Sequence, residues 1–219
     1  MRYPNQISAQ QNDTAKTAEK AYIRFLHALP TSPSTNVDIY VNNRPAIKNF
    51  KYQDFTKYLA ISPGDYSIQV YPARNTSTQL LDTNIVVSPN EILTVAVTNT
   101  PNNVEIETFS DYPREIDTSI AQMRFINLSS ESPVDIYVND NPVVYELGYT
   151  EQTDYIPFTP GRHTMTVNVS ETGKTIVHHP NMILKGGNFY TTYTVGKTTS
   201  QPVMEVLIPL EGASYLNFK

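Results

Sequence analysis

Hydrophobic and polar residues alternate with a period of two in many short stretches of this chain. In the stretch VDIYVN, Val37, Ile39 and Val41 take one phase, and the residues between them take the other. A strand with one buried face requires this alternation. Residues 66–71 alternate in the same way, and no segment has a clear helical period. Further strands are predicted near 55–61, 79–87, 91–99 and 103–109, each with a counterpart later in the chain.

The chain contains the same strand pattern twice. The segment 21–28, AYIRFLHA, matches 121–128, AQMRFINL, and the VDIYVN of 37–42 recurs unchanged at 134–139. From there the offset is 97, because the first connecting loop is three residues longer, and loops accept insertions at little cost. The register continues through Tyr58 and Tyr155, Pro63-Gly64 and Pro160-Gly161, and Thr94 and Thr191. A match kept over this distance indicates a tandem repeat.

The repeated pattern predicts an all-β chain of two tandem antiparallel β-sandwich domains of the immunoglobulin-like type. We place the first domain at 21–110, a polar linker at 111–119, and the second domain with a short C-terminal tail at 120–219. Residues 1–20, rich in Gln, Asn, Thr and Ala, are predicted to be a flexible N-terminal arm. Each domain is long enough to bury a core of its own.

Turn residues mark the ends of the predicted strands. Asn42-Asn43 and Asn139-Asp140 follow the two VDIYV strands. Asn and Asp tolerate a positive φ, so both pairs suit the tight turn of a two-residue hairpin. In each repeat a Pro-Gly pair precedes the next strand and predicts a type II turn, in which Pro fixes one φ and Gly supplies a positive one.

Charge and composition exclude some classes of partner. The net charge is −5 and the isoelectric point is near 5.3, whereas proteins that bind nucleic acid or anionic membranes carry a basic stripe. No stretch is apolar enough for membrane insertion. There is no cysteine, so disulfides, a thiol nucleophile and Cys-ligated metals are excluded. The first twenty residues lack the apolar core of a secretion signal, and cytoplasmic synthesis is expected.

Two aspartates occupy matching positions in the repeats. Asp38 and Asp135 lie on the outward phase of their strands, and an arginine, Arg24 or Arg124, lies on the first strand of each repeat. A general acid or base would need a partner carboxylate or nucleophile in a cleft, and the sequence indicates none. We therefore predict cross-strand structural pairs of Arg24 with Asp38 and of Arg124 with Asp135.

The sequence gives no signature of an enzyme. His178 and His179 are adjacent, but neighbouring side chains of a strand point to opposite faces and cannot readily bind one metal ion together. The nucleophile elbow G-x-S-x-G, the phosphate-binding G-x-x-x-x-G-K-[ST] and the zinc motif H-E-x-x-H are missing. We predict a protein without catalytic residues, cofactor or metal.

Several tyrosines fall on the polar phase of predicted strands. Tyr40, Tyr71 and Tyr137 are the examples. Tyrosine suits a pleated, partly exposed surface, which is a sufficient structural explanation. The functional alternative is an aromatic interaction surface that stacks on sugar rings or packs against another subunit.

The order of these strands and turns resembles the bacterial domain-of-unknown-function 4397 family. The resemblance depends on a first strand ending near His27-Ala28, a Ser/Thr/Pro loop, VDIYVN, a Pro-containing hairpin, Tyr58-Leu59 and the Pro-Gly-Asp-Tyr of 63–66. It covers both repeats. It implies an extracytoplasmic or surface-associated β-sandwich, often in tandem, with no established catalytic residue to carry over.

Two functions remain open at this point. The first is a non-catalytic structural or adhesive protein of a bacterial surface layer, such as the spore coat or exosporium, whose proteins are made in the mother cell without a secretion signal. Its partners would be other subunits, and the arm 1–20 would add a strand to a neighbour's sheet edge. The second is a carbohydrate-binding module for cell-wall or extracellular polysaccharide, with Tyr40, Tyr71 and Tyr137 as platforms whose weak sites act together.

Overall fold

The computed structural model describes residues 19–30, 36–100 and 103–218. The arm predicted for 1–20 lies outside this part of the chain except for its last two residues. The described residues form sixteen strands and one short 3-10 turn at Gly212–Ser214. Within them, no helix has the length and apolar character needed to cross a membrane.

Eight strands form the first half of the molecule. They are β1 (Ala21–His27), β2 (Val37–Val41), β3 (Arg44–Phe50), β4 (Leu59–Ile61), β5 (Gly64–Pro72), β6 (Leu81–Val87), β7 (Ile92–Asn99) and β8 (Val104–Asp111). Strand β3, with the sequence RPAIKNF, has little alternation of its own and was placed only as part of a hairpin by the sequence.

Eight further strands form the second half and repeat the first in order and spacing. They are β9 (Ala121–Asn127), β10 (Val134–Val138), β11 (Asn141–Leu147), β12 (Ile156–Phe158), β13 (Gly161–Val169), β14 (Thr175–Leu184), β15 (Phe189–Val195) and β16 (Glu205–Leu207). The predicted all-β sandwich fold of two halves is thus confirmed.

Each half contains two four-stranded sheets. The outer sheets have the orders β3-β2-β5-β6 and β11-β10-β13-β14, and the inner sheets have the orders β4-β1-β7-β8 and β12-β9-β15-β16. Pairing is antiparallel except at the centre of each inner sheet, where β1 runs parallel to β7 and β9 runs parallel to β15. One parallel pair in an otherwise antiparallel sheet was not predicted.

Each half has a hydrophobic core between its outer and inner sheet. In the first half, Ile23 and Phe25 of β1 pack with Ile39 of β2 and Ile68 of β5. These residues share the inward phase of their strands, so the period of two read from the sequence gives the correct face. The second half repeats this core with Met123, Phe125, Ile136, Met165 and other apolar residues.

A third hydrophobic cluster joins the two halves. It is formed by the other faces of the inner sheets and contains Leu26, Ala28, Ala96, Phe109, Ile126, Leu128, Tyr193 and Val195. Consequently β15 is buried along its whole length and β7 over all but its last residue. The molecule is a stack of four sheets, with the inner sheets in the middle, instead of two separate sandwiches on a linker.

The hairpin turns form as the sequence indicates. Asn42 and Asn43 have φ values of 50° and 61°, and Asn139 and Asp140 have the same two values. The two Asn-led hairpin turns are therefore set by local chemistry in both halves. Gly64 and Gly161, which follow the predicted Pro-Gly turns, have φ values of 146° and 142°. This conformation favours glycine, but it differs from the φ of about +80° of the predicted type II turn.

The segments beyond the strands pack on the junction between the halves. After β8, the ring of Tyr155 in the second half lies 4.8 Å from Cζ of Arg114. At the other end of the chain, the ring of Phe218 contacts Tyr22 of β1 at 5.0 Å, and the Tyr22 hydroxyl donates to the backbone oxygen of Asn217 at 3.0 Å. The C-terminal segment, predicted as a short tail of the second domain, thus reaches back to the first half.

Candidate functional site

The tyrosines predicted as an interaction surface lie on the outer sheets. Tyr40 of β2 and Tyr71 of β5 pack edge to face, with ring centres 5.2 Å apart. Tyr137 occupies the position of Tyr40 in the second half and packs against Tyr145 at 6.3 Å. The two outer sheets are at opposite ends of the stack, so Tyr137 does not share a surface with Tyr40 and Tyr71.

The two tyrosine pairs differ in their surroundings: a lysine covers part of Tyr40 in the first pair, whereas Tyr145 in the second pair is largely exposed to solvent. The ammonium group of Lys48 lies 4.3 Å from the centre of the Tyr40 ring and donates to its hydroxyl at 2.7 Å. Tyr145 is 62% exposed. Sequence reasoning missed Tyr145, because the hairpin strand β11 that carries it has no clear alternation.

The predicted pairing of Arg24 with Asp38 and of Arg124 with Asp135 is wrong. Each arginine lies on the inner sheet and faces the junction, whereas each aspartate lies on the outer face of the outer sheet. The alternation of a strand gives two faces, but it does not say which sheet a strand joins. The two residues of each predicted pair are therefore separated by the core of their half.

Asp38 is instead the centre of a small polar cluster. Its carboxylate accepts hydrogen bonds from Nζ of Lys48 at 2.9 Å and from the backbone N–H groups of Asn49 and Arg74 at 2.8 and 3.3 Å. Burial opposes the charge, but these donors outweigh it and hold the pKa of Asp38 below its usual value. Asp135 accepts from the backbone N–H of Glu146 and from the hydroxyl of Ser170.

We expect Asp38→Asn to destabilise the protein by about 1.5–3 kcal/mol at neutral pH, since it removes charged hydrogen bonds. Because the folded pKa is lowered, the carboxylate stabilises the fold above its unfolded pKa of about 3.9 and loses this effect as pH falls through the folded value. Urea unfolding at pH 7 and pH 3 measures the difference, which should shrink in acid. Asp135→Asn, which removes no ion pair, is the matched control and should cost less.

His178 and His179 lie side by side on β14 and both are exposed. Nδ1 of His178 is 3.3 Å from the hydroxyl of Thr166. Over the described ranges, no three His, Asp or Glu side chains gather in a way that could hold a metal ion.

A polar network lies at the centre of the junction. Arg24 is only 3% exposed, and its Nη2 donates to Oε1 of Glu211 at 2.6 Å. Its Nε donates to the hydroxyl of Thr94 at 3.0 Å. The other carboxylate oxygen of Glu211 accepts from the hydroxyl of Tyr58 at 2.8 Å. Glu211 comes from the C-terminal segment, so this network links the first half to the last residues of the second.

The network has a counterpart made of matching residues from the other half. Arg124 is 4% exposed and its Nε donates to the hydroxyl of Thr191 at 2.9 Å. The hydroxyl of Tyr155 donates to Oδ2 of Asp111 at 2.7 Å. In both networks a tyrosine of one half donates to a carboxylate of the other half, so the junction has the two-fold character of a symmetric dimer interface within one chain.

The two carboxylates occupy equivalent positions on the inner sheets. Asp111 is in register with Ile92 of β7, and the backbone N–H of Glu211 donates to the backbone oxygen of Phe189 of β15 at 2.9 Å. Ile92 and Phe189 are themselves matched at the offset of 97. By this register, Asp111 in the first half is equivalent to Glu211 in the second. The sequence does not show the equivalence, because the loops before the two residues differ in length.

Burial sets the ionisation of this network. It raises the pKa of the Tyr58 and Tyr155 hydroxyls, and the neighbouring carboxylates raise it further. Burial alone would disfavour the charge of Arg24, but the combined attraction of Glu211 and nearby hydroxyls raises its pKa above the ordinary value. Tyrosines thus stay neutral donors and arginines stay charged.

A family model described as domain of unknown function (DUF4397) matches this chain over residues 21–134 and 121–210. The chain belongs to the DUF4397 family. The two matched regions correspond to the two DUF4397 repeats, as the resemblance predicted. No curated protein matches the chain.

Two solved structures are similar at low level. A candidate cell-adhesion protein from Bacteroides uniformis has a TM-score of 0.28 and 11% identity, covering 88% of this chain and 98% of the other. The carbohydrate-binding module CBMbc (family CBM26) of Amy13K from Eubacterium rectale, in complex with maltoheptaose, has a TM-score of 0.28 and 10% identity, covering 87% and 96%. At these scores neither likeness bears on the function of this chain.

Proposed function

We propose that this DUF4397 protein is a non-catalytic structural or adhesive component of a bacterial surface layer, with the spore coat or exosporium as its setting. The observation that supports the proposal is the buried junction, which joins two sandwiches into one four-layer block. Sheets packed face to face lie about 10 Å apart, so the outer sheets are separated by roughly 30 Å. A block of this kind can hold two neighbours at a fixed spacing.

Both end faces of the block carry aromatic side chains suited to contacts with a partner. The first has Tyr40 and Tyr71, and the second has Tyr137 and Tyr145. Tyrosine is enriched in protein interfaces, where its ring is buried and its hydroxyl stays hydrogen-bonded. Because the faces point away from each other, one molecule would contact two partners and bridge them.

The bridging role is tested by mixing the full chain with purified cell-wall or spore-coat fragments and measuring both bound protein and fragment aggregation. We expect the wild-type chain to bind and to aggregate the fragments. A Tyr40→Ser, Tyr71→Ser variant should still bind through its second face but lose most of the aggregation, since one face cannot bridge. Absence of binding, together with an even cytosolic distribution of a fluorescent fusion in the native host, would contradict the proposal.

A carbohydrate-binding module is the second candidate function. The observation that favours it is the exposed ring of Tyr145 beside Tyr137, because an exposed aromatic face can stack on a sugar ring. Titration of soluble cell-wall polysaccharides into the chain separates the two candidates. Saturable binding that Tyr145→Ala abolishes would support the carbohydrate function. Titrations that show no binding heat for any of the polysaccharides would count against it.

A further inference from the structure

The two halves of the junction network differ at one position. Arg24 has Glu211 as its counter-ion. Arg124 has no carboxylate within ion-pair distance among the residues that the structure describes, since its Nε and Nη1 donate to the Thr191 hydroxyl and the Ser110 backbone oxygen. Its Nη2 has no acceptor in this part of the chain. Asp111 and Glu211 attract Arg124 at longer range, but neither contacts it directly, whereas buried guanidinium groups are normally paired in direct contact.

The difference has a chemical cause. Asp111 occupies the position equivalent to Glu211 but has a side chain one methylene shorter. Its Oδ1 accepts from Nε of Arg114 at 3.0 Å, and its Oδ2 accepts from Tyr155. Asp111 therefore makes the tyrosine contact of its counterpart but not the arginine contact, and the place of the second carboxylate oxygen beside Arg124 is left open.

A polar pocket of about 350 Å³ opens at this place. This volume is at the lower end of the range of about 300–1,000 Å³ for small-molecule sites. Arg124 forms its buried base, while most of its other residues are exposed or partly exposed at the wall and mouth. They are Ser110, Arg114, Gln122, Gln152, Thr153, Asp154 and Tyr155.

The charges of the pocket suit a ligand with one carboxylate and several hydroxyl groups. Arg114 and Arg124 lie over the same Tyr155 ring, with Cζ atoms 4.8 and 5.2 Å from its centre. Asp111 already pairs with Arg114, so the two guanidinium groups together keep one positive charge for an anion, and a carboxylate matches their geometry. The exposed carboxylate of Asp154 would repel a simple anion but can accept from sugar hydroxyls. The amides of Gln122 and Gln152 can donate and accept.

We infer that this pocket binds an acidic sugar, with the carboxylate of a uronic acid taking on Arg124 the place that Glu211 takes on Arg24. The ligand supplies the counter-ion that Asp111 is too short to provide. The polar side chains at the mouth hold the hydroxyl groups of the sugar. This site is separate from the tyrosine faces, so it does not depend on the bridging role proposed above.

The test is isothermal titration of sodium D-glucuronate and sodium D-galacturonate into the full chain, with glucose and acetate as ligands that lack the carboxylate or the hydroxyl groups. We expect a uronate to bind at least about tenfold more tightly than either. Arg114→Gln should weaken uronate binding about tenfold or more. Arg44→Gln, which removes an exposed arginine of β3, has the same change in charge and should leave affinity unchanged.

A second variant separates loss of the site from loss of the fold. Asp111→Glu restores the missing methylene, and its carboxylate is expected to reach Arg124 and occupy the site. This variant should remain folded, as judged by its urea midpoint, and lose uronate binding. The inference is overturned if neither uronate binds, if acetate binds as tightly as uronate, or if Asp111→Glu binds uronate like the wild-type chain.

Discussion

Glu211→Gln is expected to lower the free energy of unfolding by about 3–5 kcal/mol, the usual effect of removing one partner of a buried ion pair. Glutamine keeps the size of the side chain and can still hydrogen-bond, so the loss reports the charge. Glu211 is fully buried and Arg24 is 3% exposed, so water cannot solvate the arginine that remains. Urea unfolding followed by circular dichroism measures the change, provided that the dependence of the free energy of unfolding on urea concentration (the m-value) is the same for the wild-type chain and the variant.

Two further variants make this result specific to the pair. Glu205→Gln changes an exposed glutamate of β16 and should shift stability by less than about 0.5 kcal/mol. The double variant Arg24→Met, Glu211→Met removes both charges and should recover much of the loss, because apolar side chains can replace a buried pair. Equal effects of Glu211→Gln and Glu205→Gln would mean that the buried pair does not hold the junction.

Tyr193→Ala is expected to cost about 3–5 kcal/mol, the range for truncating a large buried aromatic side chain. Tyr193 is fully buried in the third cluster. Its ring centre is 5.7 Å from that of Phe55 and 6.1 Å from that of Phe109, both in the first half. Its counterpart at the offset of 97 is Ala96, so one large ring fills the space between the inner sheets and its loss leaves a cavity.

The loss should be seen as separation of the halves as well as lower stability. We expect the unfolding transition of Tyr193→Ala to broaden or split, because two sandwiches without a shared cluster unfold independently. Tyr193→Phe, which keeps the ring and loses a 3.4 Å contact with Arg24, should cost only about 0.5–1.5 kcal/mol. Tyr145→Ala, at an exposed tyrosine, should be nearly neutral. A sharp transition for Tyr193→Ala, with wild-type stability, would show that the junction adds nothing.

Glu211→Gln and Tyr193→Ala also test the proposed function. A bridging block needs its two outer faces at a fixed separation, and the junction provides this. Variants that loosen the junction but leave each sandwich folded should therefore bind surface fragments and aggregate them less well. This outcome links the stability of the junction to function without changing either tyrosine face.

The strands and turns of each half are predictable because their signals are local. Val37, Ile39 and Val41 alternate with polar residues, and the Asn pair after them accepts a positive φ. The core of each half follows from the same alternation. The failures begin where a residue's environment depends on distant strands. Asp38 lies on the outward phase of its strand, as predicted, but Lys48 and two backbone N–H groups cover it and leave it only 3% exposed. The sequence also does not show that Arg24 belongs to another sheet.

The junction itself left a partial signal in the sequence. Arg24, Thr94 and Tyr58 each recur in the second repeat, and Arg24 and Thr94 are polar residues in otherwise apolar strands. The junction contact is made between positions far apart in the chain, since Arg24 and Glu211 are separated by 187 residues. No local sequence pattern predicts a contact between two residues so far apart. Comparison of the two repeats shows that they are similar, but it does not show that they pack against each other.

The sequence alone determined the duplication, the all-β fold and the inward face of most strands, because a period of two and turn residues act over a few positions. Only the tertiary structure decided that the inner sheets are buried on both faces and that the C-terminal segment supplies the counter-ion of Arg24. It also decided that no carboxylate within the described ranges forms a direct ion pair with Arg124. The physical reason is that a strand's second face, and the partner of a buried charge, are set by which sheets pack together. One methylene between Asp111 and Glu211 then makes the two halves chemically different.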